Sequence, residues 1–357
     1  MSKVVVAMSG GVDSSVAAAL LKSQGHDIIG MMLRLWSEDG REDTNRCCTP
    51  EAVSLARRVA AKLDIPFYVI DAKQVFRDTV VTYFLDGYAR GETPNPCLVC
   101  NRQIRWTFLL EHALAFGADA MATGHYARLE KQAGGTIRLR RAIDAAKDQS
   151  YVLHVLDQQK LARAMFPVGE YSKPEVRRMA ESFGLPTAQR HDSQDLCFLA
   201  GDDYRNFIQR HAPDILTPGP IRNTEGAVLG EHSGLANYTI GQRKGLGIAS
   251  GEPLYVLGKD STANTLLVGR REQLGSQELL ADEMNWIGDP PESPFRAAVK
   301  IRYTAKEAPA VVELLEVGRR ARIRFDAPQR DITAGQAAVF YDGDIVLGGG
   351  VIRSQHS

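Results

Sequence analysis

Uninterrupted apolar runs alternate with helix-like stretches along the amino-terminal part of the chain. Such runs are typical of strands that are buried on both faces of a parallel sheet. They predict strands at Lys3–Met8, Asp27–Leu33, Pro66–Ile70 and Ala118–Thr123. Apolar residues at helical spacing between them predict helices at Ser14–Ser23 and Pro50–Leu63. Strands and helices in this alternation indicate an α/β fold with a parallel sheet.

The pattern changes after about Asn206, where prolines interrupt the helical spacing. Short β-like runs follow, and a further break comes at Gly288–Pro291. Beyond that break we predict barrel or sandwich strands at Arg296–Tyr303, Ala310–Leu315, Ala321–Phe325 and Ala337–Tyr341. The chain therefore divides into an α/β domain at residues 1–210, a central β-rich module at 211–272 and a carboxy-terminal β-barrel at 273–357.

Composition and charge exclude several classes of protein. The chain has 357 residues, with 43 Lys and Arg against 43 Asp and Glu, so it is not a strongly basic coat for nucleic acid. No apolar run reaches the roughly 18 residues of a membrane span, and the first residues lack a secretory leader pattern. Five cysteines, an odd number, argue against a secreted disulfide scaffold. We expect a cytoplasmic protein with reactive thiols and no membrane association.

The segment Ser9–Ser15 lies between the first predicted strand and the first predicted helix. Gly10 and Gly11 let the backbone approach an anion, and the helix amino terminus adds positive partial charge. Neither a Walker A loop nor a dinucleotide-binding Gly-x-Gly-x-x-Gly occurs at this position. The segment instead matches the SGGxDS signature of the ATP pyrophosphatases (the PP-loop), which bind the pyrophosphate of ATP. The alternative is an ordinary glycine-rich turn capped by Asp13 or Ser14.

Ligands of open α/β sheets bind at the carboxyl ends of the strands, so the adenine should lie beside this loop. Leu33, at the end of the second strand, is a candidate to pack on the adenine, although a plain core role fits it as well. Gly124 follows the Ala118–Thr123 strand and is a candidate for close approach of ATP to the backbone. Asp13 is either a ligand of Mg²⁺, a residue that orders the loop, or a helix cap.

The remaining chemistry lies in the cysteines. Cys97 and Cys100 form a Cys-x-x-Cys directly before a helix predicted at Asn101–His112. Cys100 would then lie at a positive helix end near Arg102 and Arg105, which favours the thiolate. A zinc ribbon would need a second pair at similar spacing, and adjacent Cys47–Cys48 does not provide it.

Cys197 follows a polar stretch and precedes an apolar one, as at the edge of a strand or loop. By itself it would be a buried structural cysteine. Together with Cys100 it permits a two-thiol mechanism, in which one sulfur carries a persulfide and the other is the nucleophile. Cys47 and Cys48 have no assigned role and are expected to be surface thiols.

Several blocks of sequence, in order along the chain, resemble the bacterial tRNA-specific 2-thiouridylases. They are AMSGGVDSSVAAALL, TPNPCLVCNRQIRW, ATGHYARL, KDQSYVL, HDSQDLCFLAG, YTIGQRKGLGI and VFYDGDIVLGGG. They extend from residue 7 to about residue 350, which is nearly the whole chain. The resemblance implies an adenine nucleotide alpha-hydrolase-like PP-loop domain followed by a module and a tRNA-binding barrel. It also implies an enzyme that uses ATP to replace the C2 oxygen of the wobble uridine with sulfur.

The resemblance also assigns roles to residues. Cys100 matches the nucleophile and Cys197 the persulfide carrier, with a redox disulfide between them. The ATP site corresponds to Ala7, Met8, Ser9, Gly10, Gly11, Val12, Asp13, Ser14, Leu33 and Gly124. The target base corresponds to Asn95, Pro96 and Cys97, and tRNA contacts correspond to His125, Lys147, Asp148, Gln149, Arg302, Tyr303 and Gln336.

The sequence departs from the family pattern at two positions. Many members have Asp where this chain has Cys97, and Met where it has Leu33. The extra thiol makes Cys97 a second candidate for the nucleophile beside Cys100. It also makes an iron–sulfur site of Cys97, Cys100 and Cys197 an open alternative.

The implied mechanism requires ATP with Mg²⁺, a persulfide-donating sulfur carrier protein and a reductant for the disulfide. Whether the persulfide or released sulfide attacks the base stays open. Arg320, Arg322 and Arg324 are predicted to share one strand face, which suits either RNA contact or a solvated sheet face. The loop Gln242–Lys244 is a further candidate for phosphate or donor contact. A monomer is expected.

Two other functions compete with this interpretation. A small-molecule adenylating ligase of the same superfamily uses the SGGxDS loop but has no need of Cys100 and Cys197. A non-catalytic RNA-binding or sulfur-relay protein would not need an intact nucleotide loop. Replacement of Cys197 by Ala separates the alternatives, because a ligase would be indifferent to it.

Overall fold

A computed structural model describes residues 1–38, 40, 49–190, 196–199, 201–330 and 332–354. Cys47 and Cys48 lie outside the described residues. The amino-terminal sheet is parallel throughout, and its five strands lie in the spatial order Phe67–Asp71, Asp27–Arg34, Lys3–Ala7, Ala120–Thr123 and Ala164–Met165. The central strand is buried through Val4, Val5 and Val6, as its uninterrupted apolar run predicts.

Helices cover both faces and the edges of this sheet. The α-helical segments are Val12–Ser23, Pro50–Lys62, Lys73–Phe76, Thr82–Ala89, Pro96–Val99, Leu110–Ala115, Ser150–Leu153, Gln158–Leu161, Lys173–Ser182 and Tyr204–His211. Two π-helical segments, Arg77–Val81 and Cys100–Leu109, continue α-helical ones. Short 3₁₀ turns lie at Cys197–Leu199, Pro213–Ile215, Leu235–Asn237, Arg271–Gln273 and Glu316–Gly318.

The helix that carries the Cys-x-x-Cys begins earlier than the sequence analysis predicts. It starts at Pro96 rather than Asn101, and it runs without a break to Ala115. Asn95 caps it by accepting a hydrogen bond from the Cys97 N–H at 3.2 Å, and proline is favoured at a first helical position. Both cysteines therefore lie inside the helix, and Cys100 is not at its amino terminus.

The central module is a small sheet with its own core. Its strands lie in the order Tyr255–Asp260, Thr265–Gly269, Gly219–Arg222 and Val228–His232. The core residues Ile221, Val256, Leu266 and Val268 are fully buried.

The carboxy-terminal strands close into a barrel. In spatial order they are Ser276–Trp286, Arg320–Gln329, Ala308–Leu315, Phe295–Lys300, Ala337–Asp342 and Ile345–Arg353, and the last pairs with the first. The predicted architecture is thus confirmed: a parallel-sheet α/β domain, a small β-rich module and a β-barrel.

A hairpin from the first domain extends the barrel. The strands Ala127–Lys131 and Ile137–Arg141 pair with each other, and the second pairs with Ile345–Arg353 of the barrel. One hydrophobic cluster continues from Val5 and Trp106 of the first domain to Val339 and Tyr341 of the barrel. The barrel therefore has a fixed position relative to the parallel sheet. None of the helices in the described ranges is long and apolar enough to cross a membrane.

The barrel arginines alternate as the sequence predicts. Arg320, Arg322 and Arg324 lie outward of buried Ala321 and Ile323. Each has a carboxylate within 4 Å: Arg320 pairs with Glu316, Arg322 with Glu313 and Glu278, and Arg324 with Glu278. These ion pairs favour a solvated sheet face over a dedicated RNA surface, because part of the positive charge is already balanced.

Candidate active site

A cavity of about 170 Å³ lies at the carboxyl ends of the parallel strands. This is the edge at which open α/β sheets bind ligands. The glycine-rich loop forms one wall, strand ends form the floor, and the Cys100 helix forms the opposite wall. The lining residues are Ala7, Met8, Ser9, Gly11, Asp13, Ser14, Met31, Leu33, Leu35, Cys100, Arg105, Leu109, Thr123, Gly124, His125 and Gln149.

The loop before the first helix is held by its own serines. Ser14 Oγ donates to the Gly11 carbonyl at 3.2 Å and accepts from the Ser9 N–H at 3.2 Å. Gly10 has a φ of +70°, a left-handed conformation that glycine adopts without strain. Ser9, Gly11 and Ser14 line the cavity, whereas Val12 is buried behind the loop. The loop thus presents hydroxyl and backbone groups next to a helix amino terminus, which suits an anion.

The backbone at the end of the glycine-rich loop packs so closely against residue 124 that only glycine fits there. A Cβ at this position would lie 2.6 Å from the Ser14 nitrogen and 2.8 Å from the Asp13 carbonyl carbon. The missing side chain therefore makes room for the backbone at the start of the first helix. Gly124 also lines the cavity, so its predicted place at the nucleotide stays open. Leu33 likewise lines the cavity while it packs against the core.

Replacement of Gly124 by Ala is expected to displace the glycine-rich loop. Because the added methyl group meets backbone, nucleotide-dependent pyrophosphate release should fall on the order of a hundredfold. Gly134→Ala is the matched control, because nothing lies within 4 Å of a Cβ at that position. Pyrophosphate release measured with both variants checks the expectation. Equal rates for the two variants would contradict it.

Asp13 is neither a helix cap nor a suitable metal ligand. Lys173 Nζ lies 2.7 and 2.8 Å from its two carboxylate oxygens, and Tyr126 donates its hydroxyl to the same carboxylate at 2.7 Å. The first helix has Gly11 at its cap position, without a side-chain hydrogen bond. Since both Asp13 oxygens are engaged by an ammonium group, the carboxylate does not fit Mg²⁺ coordination. The contacts with Lys173 and Tyr126 agree with the prediction that Asp13 orders the loop.

Two cations near the loop were missed by the sequence analysis. Lys173 is 7% exposed and begins the Lys173–Ser182 helix. Arg190 donates to the Gly10 carbonyl at 2.7 Å. The Ser-Lys-Pro-Glu pattern at residues 172–175 signals a helix start, but nothing in it reveals a partner 160 residues earlier.

Cys100 and Cys197 pack against the same hydrophobic cluster, which includes Phe84, Ile104 and Phe198. Both are half-buried, whereas Cys97 is exposed. Cys100 also lines the cavity at the glycine-rich loop, so the structure brings the predicted nucleophile to the predicted ATP loop. Within the described ranges, no three His, Cys, Asp or Glu side chains are grouped to hold a metal ion. The iron–sulfur alternative at Cys97, Cys100 and Cys197 is therefore not supported by this geometry.

His125 lies inside the cavity wall rather than on the surface. It is 5% exposed, its Nδ1 lies 2.7 Å from Thr123 Oγ1, and its Nε2 lies 3.1 Å from the Arg105 guanidinium. Burial, followed by the nearby Arg105 charge, holds the pKa of His125 well below its ordinary value. The ring is thus neutral at pH 7, and the predicted tRNA contact would require it to become accessible.

Two of the three predicted base-contacting residues lie at a second cavity, of about 520 Å³, which Cys97 does not line. Asn95 and Pro96 line it together with Gln336 of the barrel, and Leu196 and Leu199 on either side of Cys197 complete the wall. Gln336 Nε2 donates to the Thr93 carbonyl at 2.9 Å, which fixes the barrel against this segment. The cavity therefore brings Asn95 and Pro96 together with Gln336, next to the segment that carries Cys197.

The other predicted tRNA contacts have different environments. Asp148 is 6% exposed and accepts hydrogen bonds from Ala142 N and Ser150, so it has a structural role in this fold. Gln149 lines the cavity at the glycine-rich loop, and Lys147 is half-buried. Arg302 and Tyr303 follow the Phe295–Lys300 strand in a turn, and Tyr303 is 41% exposed. The tRNA roles of these residues stay predictions.

Three family models match consecutive parts of the chain. The model described as the tRNA methyl transferase HUP domain matches residues 2–201. A tRNA methyl transferase PRC-barrel domain matches residues 205–270, and an aminomethyltransferase beta-barrel domain matches residues 276–352.

Curated relatives match almost the whole chain. The tRNA-specific 2-thiouridylase MnmA of Roseiflexus castenholzii is 49% identical over an alignment of 369 residues, gaps included. The alignment covers 99% of this chain and 99% of the relative. The protein of the same name from Chloroflexus aggregans is 49% identical, with 99% of this chain and 98% of the relative covered. The chain belongs to the tRNA-specific 2-thiouridylase family. The MnmA of Moorella thermoacetica, at 49% identity over 356 residues, agrees with this assignment. The resemblance that the sequence motifs indicate is thereby confirmed.

Proposed function

We propose that this protein is a tRNA-uridine 2-sulfurtransferase, which replaces the C2 oxygen of the wobble uridine with sulfur at the expense of ATP. The observation that carries the proposal is that Cys100 and the glycine-rich loop line one cavity. A small-molecule ligase of the same superfamily would need the loop but no thiol facing it.

The first step activates the uridine. The C2 oxygen attacks the α-phosphorus of ATP, an O–P bond forms, and the bond to pyrophosphate breaks. Ser9, Ser14 and the backbone of the loop bind the departing pyrophosphate next to the helix amino terminus. The adenylated C2 oxygen can then leave as AMP, whereas the unmodified oxygen is a poor leaving group.

The second step transfers sulfur. A carrier protein gives Cys197 a persulfide, and the terminal sulfur of that persulfide forms a bond to C2 as AMP leaves. The Cys100 thiolate then attacks the Cys197 sulfur, so the S–S bond breaks and thiolated tRNA keeps the electron pair. The product disulfide between Cys100 and Cys197 is reduced by an external dithiol. Release of sulfide by Cys100, followed by attack of that sulfide on C2, is the alternative order.

The two cavities suit a base that leaves the anticodon loop. Anticodon bases are single-stranded, so a uridine can be turned out at modest cost. Asn95 and Pro96 lie on the second cavity and start the helix whose next turn carries Cys100 into the first cavity. A base held by this segment would lie about one helical turn from Cys100.

Mg²⁺ is proposed only as the counter-ion that ATP brings. Asp13, the carboxylate of the described cavity wall, is held by Lys173 and does not fit a metal ligand. No step of the proposed reaction passes through the metal.

The proposal is tested by incubating purified protein with bulk tRNA, ATP and a persulfide donor. Mass spectrometry of the digested nucleosides should show 2-thiouridine that depends on ATP and on Cys197. Pyrophosphate release should require tRNA. Pyrophosphate release that requires a small carboxylic acid instead, with no thiolated nucleoside, would favour the ligase and contradict the proposal.

A further inference from the structure

The nucleotide cavity receives three side chains from one helix at unusual spacing. They are Cys100, Arg105 and Leu109, which are five and four residues apart. In an α-helix, residues five apart are about 140° apart around the axis, so Cys100 and Arg105 would point to different faces. The segment Cys100–Leu109 is instead π-helical, with i→i+5 hydrogen bonds. Its wider turn brings residues five apart back to the same face.

The guanidinium of Arg105 has a buried acceptor. An arginine has only N–H donors, so its 3.1 Å contact with His125 makes Nε2 of the ring the acceptor. The ring proton therefore lies on Nδ1 and is donated to Thr123 Oγ1 at 2.7 Å. Thr123 ends a central strand of the parallel sheet. Two hydrogen bonds, from Arg105 to His125 and from His125 to Thr123, thus connect the guanidinium to the sheet at the floor of the cavity.

We propose that His125 is a positioning residue, which fixes the Arg105 guanidinium on the cavity wall so that its charge stabilises the Cys100 thiolate. This inference deepens the proposed function, because it rests on Cys100 as the reacting thiol. It gives His125 a role inside the protein in place of a direct contact with RNA. Arg105 and Cys100 line the same cavity. A guanidinium charge near a thiol favours the thiolate, and the thiolate is the form that attacks sulfur.

Other ionisable groups also face this region. Asp13 lines the cavity with its carboxylate paired to Lys173, and Cys197 packs against the same cluster as Cys100. Arg102, on the same helix, has its guanidinium 3.7 Å from the Glu283 carboxylate. None of these groups is altered by the substitutions below, so a change in Cys100 titration is attributable to Arg105 and His125.

The test measures the pH dependence of iodoacetamide alkylation in the full-length protein without ATP or tRNA. Tandem mass spectrometry of the peptide that holds Cys97 and Cys100 follows the two thiols separately. His125→Met and His125→Gln form a matched pair, since the side chains have similar length and only Gln offers Arg105 a strong acceptor, the Met sulfur being a weak one. Arg105→Gln removes the charge itself.

The proposal expects His125→Met and Arg105→Gln to raise the midpoint of Cys100 alkylation by about one pH unit. That shift is about a tenfold slower reaction at pH 7. His125→Gln should stay within about twofold of wild type, and the double variant Arg105→Gln/His125→Met should shift no further than either single variant. Cys97, exposed on the same helix, should keep its profile in every variant and so report that the helix is intact.

An unshifted Cys100 profile in Arg105→Gln would overturn the proposal, whether or not His125→Met folds. Equal shifts for His125→Met and His125→Gln would also overturn it, because the acceptor would then be irrelevant. Additive shifts in the double variant would mean that His125 acts independently of Arg105. The measurement needs no thiolation activity, so a failure of the proposed function would leave this result unaffected.

Discussion

Replacement of Cys197 or Cys100 by Ser should reduce ATP-dependent tRNA thiolation on the order of a thousandfold or more, while tRNA-dependent pyrophosphate release continues. The reason is that adenylation uses the loop and the nucleotide, whereas sulfur transfer needs both thiols. The two variants should stop at different points. Cys100→Ser should still accept a persulfide on Cys197, and Cys197→Ser should not.

The expected intermediates can be measured directly. Intact-protein mass spectrometry after incubation with the persulfide donor should show an added 32 Da, approximately one sulfur atom, on Cys100→Ser and on wild type. Cys47→Ser is the control variant, because the proposed chemistry gives Cys47 no part. Full thiolation by Cys197→Ser with a persulfide donor would contradict the assignment of the carrier thiol.

The ion pair beneath the loop should have the second largest effect. The Lys173 side chain is 9% exposed, and its Nζ lies 2.7 Å from Asp13 Oδ1, so the carboxylate balances the ammonium charge. Asp13→Asn would leave a buried ammonium group without its carboxylate, so it should lower the free energy of unfolding by about 3 kcal/mol. It should also lower kcat/KM for ATP on the order of a hundredfold, because the loop loses its anchor.

A double-mutant cycle separates the pair from its surroundings. Lys173→Met removes the buried charge, so Asp13→Asn should cost much less in that background, with a coupling of at least about 1 kcal/mol. Tyr126→Phe is the matched control, since it removes one hydrogen bond to Asp13 and should cost about 1 kcal/mol. Chemical denaturation of the four proteins measures the coupling. Strictly additive losses would show that Asp13 and Lys173 do not act as a pair.

The part of the site that was predictable from sequence is the part that local patterns determine. The loop follows an apolar run, contains two glycines and precedes a helix. This order predicts a loop at the carboxyl end of a strand of the parallel sheet, and the structure agrees. Strand ends at Leu33 and Gly124 line the same cavity. These features follow from the periodicity of strands and helices and from the shared carboxyl edge of parallel strands.

The start of the Cys100 helix was missed although a local signal exists. Asn95 before Pro96 is a favourable cap and first position, but the sequence analysis places the cysteine pair directly before a helix that begins at Asn101. The π-helical turn that aligns Cys100 with Arg105 has no comparable signal in the sequence. A helix period of 3.6 would have separated these residues.

Long-range partners account for the remaining differences. Lys173 and Arg190 reach the loop from more than a hundred residues away. The hairpin of Ala127–Lys131 and Ile137–Arg141 joins the barrel through its second strand. Such contacts depend on how elements pack, and no spacing in the sequence encodes them.

The fate of the uridine C2 oxygen tests the central claim most directly. tRNA labelled with ¹⁸O at C2 of the wobble uridine should yield AMP that carries the heavy oxygen, in equal amount to the 2-thiouridine formed. Transfer of that atom is required if the C2 oxygen is bonded to the α-phosphorus of ATP before sulfur arrives. Thiolated tRNA accompanied by AMP without the label would contradict the account.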